Sequence, residues 1–161
     1  MIIRNATIED LKQITEVELG CFPSAEAATE ESIRERLKVY ADHFWLLYEE
    51  DKLISFVNGM VTDEPDLRDE MYENAGLHTP DGKWQMIFGV DTIPSHRCQG
   101  YAEKVMWRVI EEAKKQGREG LVLTCKERLL HYYAKFGFIN EGVSESVHGN
   151  AVWYQMRLRF K

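Results

Sequence analysis

The chain has 161 residues and a formal charge of −7, with the apolar and charged content of one soluble domain that buries a single substantial core. No apolar run approaches the roughly 20 residues that span a bilayer, and the opening MIIRNATIEDL lacks the basic-then-apolar order of a secretory leader, so a cytoplasmic location is expected. The acidic balance argues against a broad nucleic-acid surface, and three scattered cysteines, Cys21, Cys98 and Cys125, suggest neither a disulfide framework nor a metal knuckle.

Ile2 to Asn5 predict a first strand. Thr7 is placed to cap a helix, with Asp10 three residues on and Leu11, Ile14 and Val17 beginning an apolar stripe that stops near Gly20. After a loop from Cys21 to Ala28, Thr29 caps a second helix, with Glu30 and Glu31 at its positive end and Ile33, Leu37 and Tyr40 on its buried side. Phe44 to Tyr48 and Leu53 to Val61 predict a hairpin around the polar turn Glu49–Lys52. From Thr62 to Gly82 the chain is acidic, with a short helix expected from Asp66 to about Asn74. Two readings apply to this segment: a solvated connection, or a lid whose carboxylates favour a cationic substrate.

The central stretch runs from Trp84 to Ala113. Trp84, Met86, Phe88, Val90 and Thr92 alternate with Gln85, Ile87, Gly89 and Asp91, which predicts one strand over 84–92 ended by Pro94. After Gly100, the spacing of Ala102, Val105, Met106, Val109, Ile110 and Ala113 predicts an amphipathic helix. The turn between them, Arg97 to Ala102, leads into a helix start with free backbone N–H groups and a positive dipole end, the ingredients of a phosphate site. Leu121 to Cys125 reads as a buried strand and Lys126 to Lys135 as a helix with Leu129, Leu130 and Tyr133 inward and Gly137 just past its end. Phe138–Ile139 and Ala151 to Phe160 close the set as strands.

This order predicts an α/β (α+β) fold: a mixed sheet flanked by helices on both faces, with a right-handed strand–helix–strand crossover at its centre. A fully parallel Rossmann sheet fits less well, because the hairpin is antiparallel and no G-x-G-x-x-G follows a strand. No repeat or linker divides the chain, so one domain over 1–161 is expected.

Arg97-x-x-Gly100-x-Ala102 resembles motif A of the GCN5-related N-acetyltransferase (GNAT) superfamily, R/Q-x-x-G-x-G/A. Tyr132-Tyr133-Ala134-Lys135-Phe136-Gly137-Phe138 resembles its downstream YxxxGF motif, starting at Tyr133. Within the superfamily the chain is most similar to the arylalkylamine (serotonin-type) branch and its microbial relatives, through Cys21-Phe22, Leu77-His78 with Pro80 and Gly82, and Leu121 to Cys125. The resemblance implies a mostly antiparallel, splayed mixed sheet with acetyl-CoA, the co-substrate, in the splay. It implies that Val90, Asp91 and Thr92 offer backbone groups to the acetyl and pantetheine portion. It also implies that Arg97 precedes a pyrophosphate cradle formed by Cys98, Gln99, Gly100, Tyr101, Ala102 and Glu103. Gly100 has its own reason to be glycine, since a missing Cβ permits unusual φ/ψ and close approach.

The implied reaction moves an acetyl group to a small primary amine, an arylalkylamine or a di- or polyamine, by direct attack on the thioester. Such an amine, with a pKa of about 10.4, must lose a proton, and the departing thiolate, with a pKa of about 8.5, must gain one. Tyr133 matches the family's general acid. The two histidines that vertebrate relatives carry on the central strand align with Met86 and Phe88, so the base lies elsewhere. Glu26, in the loop after Cys21-Phe22, is the first candidate, with His131, His78 or a water chain as alternatives. Phe22, Glu26, Phe88 and Trp84 are candidate acceptor-pocket residues. The five histidines share no metal-ligand spacing with other side chains, so no metal is expected. Cys98, at a helix start where a thiol pKa can fall, is read as a structural or backbone contributor. Neither a nucleic-acid nor a membrane partner is expected. Family members are often dimers, and the apolar strand from Ala151 offers an edge for a homodimer. A competing reading from another class is an acyl-CoA-binding regulatory module with little catalysis.

Overall fold

The computed structural model describes residues 1–161 and divides into two compact units, each built from two stretches of chain.

The first unit comprises 1–59 and 89–109. Its sheet takes strands β1 (Ile2–Asn5), β2 (Phe44–Glu49), β3 (Lys52–Asn58) and β6 (Gly89–Thr92) in the order β1-β2-β3-β6, all antiparallel. Helix α1 (Leu11–Cys21) turns Ile14, Val17 and Glu18 inward, and α2 (Glu30–Tyr40) turns Ile33, Arg36, Leu37 and Tyr40 inward. The inward positions recur every three or four residues, so each helix seals one face with a single stripe. Tyr40, Phe44 and Phe56 stack in series beneath them, with ring centres 6.2 and 6.4 Å apart.

The second unit comprises 60–88 and 110–161. Its sheet orders β4 (Val61–Thr62), β5 (Trp84–Ile87), β7 (Gly120–Cys125), β9 (Tyr154–Arg159) and β8 (Ile139–Val143) as β4-β5-β7-β9-β8. Only β5 and β7 run parallel. They are the strands that flank the long helix α4 (Tyr101–Lys115) in the chain, as a crossover connection requires. The apolar run Leu121–Leu123 is buried because β7 has a neighbour on each side. Gly120 starts that strand because a Cβ there would stand 2.0 Å from the Leu158 carbonyl oxygen. Helix α3 (Glu70–Glu73) and helix α5 (Leu130–Ala134) are short. No helix is long and apolar enough to cross a membrane.

The mixed, mostly antiparallel α/β class stands, and the strand boundaries change in two informative places. The single strand expected over 84–92 is two strands, β5 and β6, which serve different sheets and are separated by Phe88. The expected strand from Leu53 to Val61 likewise breaks after Asn58, and Val61–Thr62 joins the other sheet. The helix expected from Asp66 shrinks to Glu70–Glu73. The C-terminal strand cannot serve a dimer by edge pairing, because β9 is hydrogen-bonded to β7 on one side and β8 on the other.

Thr7 and Asp10 form the expected capping box, on a 3-10 turn that precedes α1. Asp10 also receives two hydrogen bonds from Arg4, at 3.0 and 2.7 Å, and one from the Tyr48 hydroxyl at 2.9 Å. Burial opposes its ionisation, but the Arg4, Thr7 and Tyr48 donors outweigh burial and hold the carboxyl below its usual range. A lowered folded pKa adds stability that is present above the unfolded value and is lost as pH falls through the folded one. Asp10→Asn is therefore expected to cost about 1–2 kcal/mol at neutral pH and to flatten the acid side of the stability profile, read by denaturant unfolding at a series of pH values.

Candidate active site

The turn that carries the motif A resemblance lies in the first unit. β6 is the last strand of its sheet, so the backbone groups along its outer side are not used by the ladder. A short 3-10 turn at Pro94–His96 follows, then Arg97, then α4. Cys98 (φ 60) and Gly100 (φ 87) both take the left-handed conformation, which curls the backbone just before the helix start. Nothing lies within 4 Å of a Cβ built at Gly100 except a Glu103 carboxylate oxygen at 4.0 Å, so its glycine is required by φ, not by crowding.

Side chains brace this turn from its own unit. Arg97 donates from Nε to the Thr92 carbonyl at 3.1 Å and from Nη2 to the Gly20 carbonyl at 3.4 Å, joining the end of β6 to the end of α1. The Cys21 thiol donates to the same Thr92 carbonyl at 3.3 Å. Gln99 closes the turn onto Ser95, and Tyr101 donates to Glu49 at 2.8 Å. Exposed Cys98 contributes backbone shape, and Ala102 and Glu103 lie in the first turn of α4. A coenzyme pyrophosphate suits such a left-handed turn at the head of a 15-residue helix.

Beneath β6 lies a buried polar cluster that the sequence did not announce. Asp91 is entirely buried, and no N–H or O–H donor reaches either of its side-chain oxygens. Glu18, 7% exposed, approaches from α1 and accepts from the Ala28 amide at 2.9 Å. A Cβ at Gly89 would meet Asp91 Oδ1 at 3.0 Å, Asn58 Nδ2 at 3.6 Å and Glu18 Oε1 at 3.8 Å, which puts the two carboxyls around one small space. Buried Arg36 donates to Asn58 Oδ1 at 3.0 Å. Desolvation first, and then the charge and hydrogen bond of Glu18 with Cys21 adding to them, push the Asp91 carboxyl well above its usual range, against a weaker pull from Arg36.

Phe22 and Glu26 belong to the first unit, both partly exposed, and Glu26 sits in a turn whose amide bonds to the Pro23 carbonyl at 2.8 Å. Tyr133 and Phe88 belong to the second unit. Tyr133 is buried at 7% exposure on α5, edge-on to Tyr132 and Phe138 at 5.0 and 6.1 Å. Phe88 joins a half-buried aromatic group that sequence reasoning missed. Tyr72 lies 4.7 Å from Phe88 and stacks at 11° on His148, which lies 6.0 Å from Trp153. The Tyr72 hydroxyl reaches Thr124 Oγ1 at 3.3 Å, and Trp153 Nε1 donates to the His148 carbonyl. The members come from distant stretches, so no local spacing could have revealed the group.

The acidic segment uses most of its charge within its own unit. Asp63 accepts from the Lys83 amide, Asp66 from Gln155 and Arg157, and Asp69 from Ser146 and Val147, while Glu64 and Glu70 pair with Arg68. These ties favour the connection reading over the cation-attracting lid. His78 accepts the Val61 amide at Nδ1, a structural bond, and His131 is exposed. Trp84 is core, beneath the Arg157 and Arg159 guanidinium groups. No group of three or more His, Cys, Asp or Glu side chains is arranged to hold a metal ion.

With strand, turn and helix in place, the class of protein follows: the chain belongs to the Acetyltransferase (GNAT) family, whose model matches residues 11–138, and it is an acyltransferase. Among curated proteins it is similar to serotonin N-acetyltransferase of Mesocricetus auratus, 25% identical over 158 residues, covering 96% of this chain and 75% of that one. Among solved structures it shares its fold with the loading GNATL domain of CurA from Lyngbya majuscula. That match has a TM-score of 0.85 and 16% identity, covering 98% of this chain and 96% of that one. A GphF GNAT-like decarboxylase in complex with isobutyryl-CoA matches with a TM-score of 0.85 and 19% identity over the whole of both chains.

Proposed function

We propose that this protein is an acetyl-CoA-dependent N-acetyltransferase that works as one domain over 1–161 and acetylates a small primary amine. The observation that carries this reading is the left-handed turn at Cys98 and Gly100, set between the edge strand β6 and the start of α4 in a family whose reaction is acyl transfer. The first backbone N–H groups of α4, with those of Cys98 to Gly100, hold the pyrophosphate. The outer edge of β6 at Val90 and Thr92 pairs with the amide groups of the pantetheine arm, and a backbone N–H near Val90 stabilises the thioester oxygen as charge develops on it; Asp91, expected to contribute as well, is wholly buried, with its carbonyl bonded to Ser55.

The amine attacks the thioester carbonyl carbon, the C–S bond breaks, and Tyr133 donates its phenolic proton to the leaving thiolate. Glu26 is the first candidate to take the amine proton. Met86 on β5 and Phe88 at the break after it stand where the family resemblance implies histidine in vertebrate relatives, and neither side chain accepts a proton. For the acceptor, Phe88, Tyr72, His148 and Trp153 offer a mostly aromatic surface, while most carboxylates of the acidic segment have partners of their own. An arylalkylamine is therefore favoured over a di- or polyamine.

The decisive experiment follows thiol release from acetyl-CoA against a panel of aryl-, alkyl- and polyamines. Amine-dependent release, largest with arylalkylamines, is expected; coenzyme binding without any release would make the protein an acyl-CoA-binding module instead.

Three variants probe the assigned roles. Tyr133→Phe should fold and bind acetyl-CoA but lose about 10²-fold or more in kcat, and a kcat equal to wild type across pH would remove the acid role. Glu26→Gln should abolish the acid limb of kcat/KM; a limb that stays in place rules Glu26 out as base. Gly100→Ala forces a Cβ into a left-handed residue at a cost of roughly 1–2 kcal/mol. It should weaken acetyl-CoA binding about tenfold in a calorimetric titration.

A further inference from the structure

Two carboxyls have been brought together where neither can reach water easily. Asp91 has no exposed surface and no donor for either oxygen, and the group that faces it is another carboxyl, from Glu18. Two carboxylate oxygens are both acceptors, so a bond between them needs a proton. The charged and polar groups around them come from every packed element: Glu18 and Cys21 from α1, Arg36 from α2, and Asn58 and Ser55 from β3. Arg36 is directed to Asn58, and Ser55 donates to the Asp91 main-chain carbonyl at 2.6 Å, so neither supplies the missing donor to the carboxyl.

We propose that Glu18 and Asp91 share one proton, and that this single O–H···O bond fixes β6 against α1 and so positions the strand backbone for the acyl-coenzyme. The pair acts on the coenzyme only through the strand, since Asp91 has no surface from which to touch a ligand. Its positioning role rests on the reading that Val90 and Thr92, on either side of buried Asp91, bind the acyl and pantetheine portion; the shared proton itself does not. When pH rises far enough for that proton to leave, two anions face each other in the core and the strand is pushed from the helix. The direction of the Asp91 shift agrees: a raised folded pKa adds stability that is present at low pH and is lost as pH rises through the folded value.

The test has two readouts. Infrared difference spectra should show a protonated carboxylic-acid C=O band at neutral pH that disappears in Asp91→Asn. Acetyl-CoA affinity, measured calorimetrically from neutral to alkaline pH, should fall in the wild type. It should be pH-independent in Glu18→Gln, whose amide keeps a hydrogen bond without a shared proton. In Glu18→Leu, which keeps none, affinity should be lower about tenfold at every pH. An absent acid band at neutral pH overturns the shared proton, whatever the activity. A band with parallel affinity profiles in wild type and Glu18→Gln overturns the positioning role. Normal coenzyme binding with no acetyl transfer to any amine defeats the acetyltransferase reading and leaves the pair standing. A protein that binds no acetyl-CoA at any pH defeats that reading and the positioning role together.

Discussion

The strand break at Phe88 is the constraint on which the functional reading depends. Backbone N–H and C=O groups must be paired wherever they are buried. Up to Ile87 the central strand satisfies them between β4 and β7, and from Gly89 it satisfies them on β3 alone. Changing partners in mid-strand makes β6 an edge, with an outer row of backbone groups outside the ladder, although the Thr92 carbonyl is already taken by Cys21 and Arg97. Exposed edges invite unwanted strand pairing. β6 limits this by being only four residues long and by ending at the Pro94 turn. An edge kept short in this way suits a ligand that carries its own amides.

What lies under that edge ties it to α1. Two like charges about 4 Å apart repel by about 4 kcal/mol at an effective dielectric of 20, so ionising both Glu18 and Asp91 would be costly. That is a large part of the 5–15 kcal/mol by which a typical domain is stable. One proton removes the repulsion and replaces it with a charge-assisted hydrogen bond, among the stronger kinds. The Ala28 amide on the other Glu18 oxygen extends the same tie to the loop that carries Phe22 and Glu26. Strand, helix and loop are thus joined through one carboxylate.

How much of this could be read in advance depends on the range of the interaction. The Thr7–Asp10 box, the Thr29 cap and the inward stripe of α2 are set within a few residues, and they stood where the sequence placed them. The Gly100 turn was legible for the same reason. The Phe88 break was not, because alternation tells which side chains share a face but not which strand lies beside them. Asp91 looked like one polar position in an alternating strand. Its partner Glu18 comes from the other end of the domain sequence, and the pairing exists only once α1 is laid on β6. The Tyr72–Phe88–His148–Trp153 group is non-local in the same way.

The acidic segment reads differently in the structure for a related reason. The charge of −7 and the crowding of carboxylates before β5 pointed toward cations, yet most of those carboxylates have partners within the segment's own unit. Arg157 is 93% buried, and Asp66 and Glu141 lie beside its guanidinium at 3.2 and 2.8 Å. A carboxylate held by a buried cation serves that cation, because breaking the pair would strand a charge in the core. Arg68 occupies Glu64 and Glu70 in turn, and Asp69 is committed to Ser146 and Val147. What the second unit leaves partly exposed around Phe88 is ring surface. Rings select by shape and by their π faces, which is the surface that the proposed acceptor, with an aromatic end and a small amine, calls for.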